Sequence, residues 1–243
     1  MPVTHVTGIV CGNGHASEGK YQGIAPESNI ISVKILDQNG QGNSAQAIAG
    51  LRWIMDNAKK YNIRVVNLSI GTNDHKINVP LMEAVNKLWF AGITVVAAAG
   101  NPDSRRHFQP SPAISPRIIT VGAWEDRRFF LQAQSQGSSL FFRRNTAPLP
   151  DIWAPGEDII STLSPDYDFS LQNRDTIKIV DHHYIKMSGT SMATPMVSGA
   201  AALLLEKYPN LSPDQIKYRL ISSAQYGNGR NQKGLLNIRA CLL

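Results

Sequence analysis

A chain of 243 residues, 42% of them apolar, can build one large domain with a sizeable core, and none of its runs reaches the roughly 20 apolar residues of a membrane-crossing helix. Its 24 basic and 18 acidic residues leave six excess positive charges, scattered in pairs such as Arg105-Arg106, Arg127-Arg128 and Arg143-Arg144, which argues against a nucleic-acid-binding stripe. Cys11 and Cys241 give neither a disulfide framework nor a metal-ligand spacing, and the start Met1-Pro2-Val3-Thr4-His5 lacks the basic and apolar segments of a secretory signal.

Residues 4–10 form a short apolar segment carrying His5, and Gly12, Gly14 and Gly19 then break it into a loop. Residues 29–36 are rich in β-branched side chains and read as a strand, ended by the turn-forming run 37–42. Asn43 or Ser44 can cap a helix in which Ile48, Leu51, Met55 and Ala58 recur at helical spacing. Residues 64–69 are the next strand. Pro80 suits the first turn of a second helix, with Leu81, Val85 and Leu88 on one face and Gly92 as its stop. Apolar strands follow at 93–99 and 118–121.

Continuous apolar strands alternating with amphipathic helices predict an α/β fold, a parallel sheet covered on both faces. Residues 125–150 lose this pattern and read as loop, and 166–175 as an exposed insertion. Short strands are expected at 152–154, 159–162 and 183–187. Ser212-Pro213-Asp214-Gln215 supplies an N-cap, a first-turn proline and a capping-box glutamine for a last helix through Ile221.

The chemistry converges on Ser191. Residues 199–205 leave almost no polar face, so a buried helix must run there, and Pro195 restricts its start to Ser191 or just after. A serine at that end lies beside unpaired N–H groups and the positive end of the helix dipole, which suits a nucleophile developing negative charge. A serine nucleophile also needs a base, usually histidine, and donors for the oxyanion. All six histidines precede it, which disfavours the α/β-hydrolase order, where histidine follows serine. His15, His75 and His107 fall in polar loops; the adjacent His182 and His183 would point to opposite faces of a strand. His5 is set apart by its apolar segment at a helix start. Ala97-Ala98-Ala99-Gly100-Asn101 carries an asparagine amide to the carboxyl edge of the sheet, where it can donate to an oxyanion.

Together, Gly189-Thr190-Ser191-Met192-Ala193-Thr194-Pro195, Thr4-His5-Val6-Thr7-Gly8-Ile9-Val10 and Ala99-Gly100-Asn101 resemble the serine, histidine and oxyanion segments of the subtilisin-like serine proteases, the subtilase or peptidase S8 family. Val66-Asn67-Leu68-Ser69-Ile70-Gly71 resembles the family's substrate-pairing strand, and Trp153-Ala154-Pro155-Gly156 another of its landmarks. The resemblance implies a three-layer αβα sandwich over residues 1–243 and a serine endopeptidase with Ser191 as nucleophile, His5 as general base and Asn101 as oxyanion donor beside the Ser191 N–H. A polypeptide substrate would pair with Ser69, Ile70 and Gly71 on one side and Ala98, Ala99 and Gly100 on the other, around a roomy apolar pocket. No nucleic-acid or membrane partner is expected.

The chain also departs from the family. The aspartate expected on an early strand is absent ahead of His5, and Met1-Pro2-Val3 stands where the family carries Gly and then His-Gly before the threonine. The fold is therefore expected to lack its N-terminal strand or strands, exposing an edge, and activity is expected to be impaired. No cofactor is required; calcium is implied only by the resemblance, and the family's calcium loop is not recognisable in residues 11–23. Location inside the cell is the default without a signal, and secretion if an N-terminal segment precedes. The alternative is a non-catalytic relative that binds peptides or another protease.

Overall fold

The computed structural model describes residues 2–37, 40–72, 76–101, 110–124, 150–165, 178–225 and 234–243. Its helices are α1 (Pro2–Cys11), α2 (Ser44–Tyr61), α3 (Val79–Phe90), α4 (Thr190–Lys207), α5 (Pro213–Ser222) and α6 (Ile238–Leu242). The strands β1 (Val65–Leu68), β2 (Thr94–Ala98), β3 (Ile119–Trp124) and β4 (Ile152–Pro155) form a parallel sheet in that order. Val66 stands beside Val95, Ala97 beside Thr120 and Ala123 beside Ala154. Every residue of β2 is buried, which requires cover on both faces. α4 packs against all four strands, while α3 packs on β2 and on α2, giving the α/β sandwich that the alternating pattern predicts.

The helix starts follow from side chains that satisfy the orphan N–H groups of a first turn. The Asn43 side chain accepts the Gln46 N–H at 2.9 Å and the Gln46 side chain accepts the Asn43 N–H at 2.9 Å, so Asn43, not Ser44, caps α2. Ser212 and Gln215 close the same reciprocal box on α5, with Pro213 in its first turn. A second, antiparallel sheet joins β5 (Ile159–Thr162), β7 (Tyr184–Met187) and β6 (Lys178–Ile179), with β7 in the middle. It anchors α1: Ser161 Oγ donates to the His5 carbonyl at 2.8 Å and Thr162 Oγ1 to the Thr4 carbonyl at 2.7 Å. Gly8 permits the approach, since a methyl group there would run into both hydroxyls.

Two expectations need correction. Residues 29–36 do not form a strand. Val33 and Ile35 pack against the core, but Ile30 and Ile31 remain 42% and 41% exposed. A strand exists only by pairing, and among the described residues neither this segment nor the outer edge of β1 has a partner strand. α4 begins at Thr190, one residue earlier than expected, with Gly189 as its N-cap. Pro195 therefore falls sixth in the helix, past the first turn. The expected loop at 125–150 lies outside the described residues except for Pro150, as does the insertion at 166–175.

Candidate active site around Ser191

Ser191 is delivered by a tight junction. Gly189 takes φ 140°, its N–H donates to the Gly156 carbonyl at 2.7 Å, and the next residue already opens α4. The landmark run ending in Gly156 thus fixes where the serine helix starts. β2 ends on buried Ala98 and buried Ala99 follows it; Gly100 turns the chain at φ 93° and presents Asn101 over Gly189. A methyl group on Gly189 would lie 3.1 Å from the Asn101 amide, so this position needs glycine for space as well as for its dihedral.

Asn101 Oδ1 accepts the Thr190 backbone N–H at 2.8 Å and the Thr190 hydroxyl at 3.0 Å. A backbone N–H only donates, so the amide orientation is fixed by chemistry, and Nδ2 must face away from Thr190. Among the described residues neither Asn101 Nδ2 nor the Ser191 N–H has a hydrogen-bond partner. Both donors stand at the first turn of a helix, where negative charge is stabilised. The Ser191 hydroxyl donates to the Ser69 carbonyl over a long 3.4 Å, and Ser69 Oγ donates back to the Ser191 carbonyl at 2.9 Å.

Among the described residues no hydrogen bond joins His5 to Ser191. Its ring is 1% exposed, with Nε2 3.0 Å from the Ile159 carbonyl and 3.1 Å from the Ile185 carbonyl. Two facing acceptors place the proton on Nε2, leaving Nδ1 unprotonated, and Nδ1 is buried without a partner. Burial pushes the imidazole pKa below its ordinary value against the raising effect of the two carbonyls. The expectation of His5 as general base is therefore corrected: the ring holds α1 to β5 and β7. The signal lay in Pro2-Val3 standing where the family carries His-Gly, three positions ahead of His5. His15, His182 and His183 are exposed; His75 and His107 lie outside the described residues.

The two expected substrate-binding segments do come together, and Pro110, which sequence reading missed, lies between them. Methyl groups on Gly71 and Gly100 would sit 2.8 and 3.0 Å from its ring carbons. The Thr72 N–H donates to the Ser111 carbonyl at 3.0 Å. A proline ring touching both glycines narrows the space that Ala98, Ala99 and Gly100 alone make look roomy. Glu18 is the one carboxylate in residues 11–23, and among the described residues no group of three His, Cys, Asp or Glu is placed to hold a metal.

The parallel α/β sheet sets Ser191 at a buried helix N-terminus beside the Asn101 amide, a pairing chemically suited to nucleophilic attack and oxyanion stabilisation. The subtilase family (peptidase S8) model matches residues 4–238, and the chain belongs to that family of serine proteases. It is 40% identical over 229 residues to serine protease AprX of Bacillus subtilis (strain 168), covering 88% of this chain and 50% of AprX. It is 35% identical over 241 residues to subtilisin E of the same strain, covering 98% of this chain and 54% of that protein. The chain thus spans about half the length of these relatives. A crystal structure of a cold adapted subtilisin-like serine proteinase superposes with a TM-score of 0.68 at 29% identity, covering 97% of this chain and 72% of that one.

Proposed function

We propose that this chain carries the nucleophile and oxyanion half of an endopeptidase acting on polypeptides through an acyl-enzyme on Ser191. Oγ attacks the scissile carbonyl carbon, and the resulting oxyanion is held by Asn101 Nδ2 and the Ser191 N–H. The hydroxyl proton leaves to a base and returns to the departing amine, after which water releases the acyl group. The observation that carries this reading is the Asn101 amide, oriented by Thr190 so that its N–H₂ faces away from Thr190 and has no partner among the described residues. An extended peptide would lie along residues 69–71 and 98–100 by strand pairing, and Pro110 favours small side chains next to the cut bond.

Turnover is slow in this reading, because among the described residues no imidazole or carboxylate hydrogen-bonds the Ser191 hydroxyl. The same observation favours a second reading, a groove that binds peptides without cutting them. Incubation with an unstructured polypeptide, followed by mass spectrometry of new termini, separates the two. Slow cleavage that disappears in Ser191→Ala supports the endopeptidase; an uncut peptide retained equally by both proteins supports binding alone.

A further inference from the structure

We infer that Ser69 is a positioning residue for Ser191, replacing a helix hydrogen bond that Pro195 removes. This rests on the reading of Ser191 as nucleophile. In a helix the carbonyl of residue 191 accepts from the N–H of residue 195, and proline has none. A proline ring also crowds the carbonyl four residues back, turning it outward. The orphaned carbonyl belongs to the nucleophile itself, in the first turn of α4, where any fraying would displace Oγ.

Ser69 supplies the missing donor: its Oγ donates to the Ser191 carbonyl at 2.9 Å. That hydroxyl is itself held, because Asn67 Nδ2 donates to Ser69 Oγ at 3.0 Å and Ser198 Oγ donates to Asn67 Oδ1 at 2.9 Å. Ser198 is 2% exposed and lies two helical turns beyond Ser191, on the same side of α4. β1 and the residue following it therefore grip α4 at two points along its axis. Two such points fix rotation as well as height, and so fix where the Ser191 hydroxyl stands relative to Asn101.

The test is a cycle of Ser69→Ala, Ser69→Thr, Pro195→Ala and the double variant Ser69→Ala/Pro195→Ala, each confirmed folded by circular dichroism. Amide exchange at Met192 and Ala193, which needs no chemistry at Ser191, is read beside the rate of fluorophosphonate labelling. Ser69→Ala is expected to raise exchange and slow labelling, each by roughly tenfold, the weight of one hydrogen bond. Ser69→Thr keeps the hydroxyl and should hold amide exchange at Met192 and Ala193 near the parent value. In the double variant residue 195 regains an N–H, and both readouts should return toward the parent, a rescue that mere loss of packing would not give. Unchanged exchange in Ser69→Ala, or no rescue in the double variant, overturns the inference. If exchange follows the cycle while even the parent takes no label, the positioning role stands and the hydrolytic reading fails.

Discussion

An imidazole enclosed between two carbonyls favours the neutral form, because protonation would bury a charge and add an N–H at Nδ1 with no partner among the described residues. Since the folded pKa of His5 lies below the unfolded value of about 6.5, the unfolded chain binds the extra proton first. Stability from this residue is full above about pH 6.5 and falls as pH drops below it. Urea midpoints between pH 7.5 and pH 5, both about the titration range of histidine, should decline in the parent and decline less in His5→Gln. His5→Ala should cost about 2–3 kcal/mol at neutral pH, from the lost packing and the two unmet carbonyls, measured by denaturant unfolding. Asn101 works at the other end of the site. Asn101→Ala removes the aimed donor and should slow reaction at Ser191 by roughly a hundredfold or more, the usual weight of one oxyanion donor. The same change frees the Thr190 N–H, so a drop in melting temperature is expected with it.

At the level of elements, α4 shows what a sequence can and cannot disclose. Its apolar run, Gly189 and Ser191 were legible because small residues before a helix with no polar face leave few structures open. The role of Pro195 was not, since that depended on whether the helix began at Thr190 or at Ser191, one residue apart. His5 was misread for a related reason: a histidine in an apolar segment signals burial and function alike, and only its two carbonyl partners distinguish them. The capping box at Ser212 was legible because it is closed within four residues of sequence, whereas at the start of α2 the sequence left Asn43 and Ser44 both open and the reciprocal bonds with Gln46 decide for Asn43. Residues 29–36 have strand composition and no strand, since composition does not provide a neighbour. Close packing of α4 yields a further prediction. A methyl group on Gly199 would lie 2.6 Å from Ile24 Cβ, so Gly199→Ala should destabilise by about 1–3 kcal/mol, read from the unfolding midpoint.

Across the whole molecule, the sheet has one edge, the outer side of β1, with no partner among the described residues, and Ile30 and Ile31 are exposed in the segment 29–36. Unpaired edges and exposed β-branched side chains promote association between chains. Sedimentation velocity should therefore show association that grows with concentration, and Ile30→Lys/Ile31→Lys should lower it while leaving the melting temperature within about a degree or two, as expected for surface changes. The α/β class was legible because it rests on long alternating patterns, and the subtilase family because its serine motif is contiguous. The narrowing by Pro110 was not, because it arises from residues far apart in sequence that meet only in the fold.

The most direct measurement is intact mass with peptide mapping after fluorophosphonate treatment of the folded chain, beside Ser191→Ala, Asn101→Ala and His5→Gln. A single slow adduct on Ser191 is predicted, absent in Ser191→Ala, strongly slowed in Asn101→Ala and unchanged in rate in His5→Gln. No adduct on the folded parent would contradict the assignment of Ser191 and Asn101 as a working nucleophile and oxyanion donor, and loss of labelling in a folded His5→Gln would contradict the structural role given to His5.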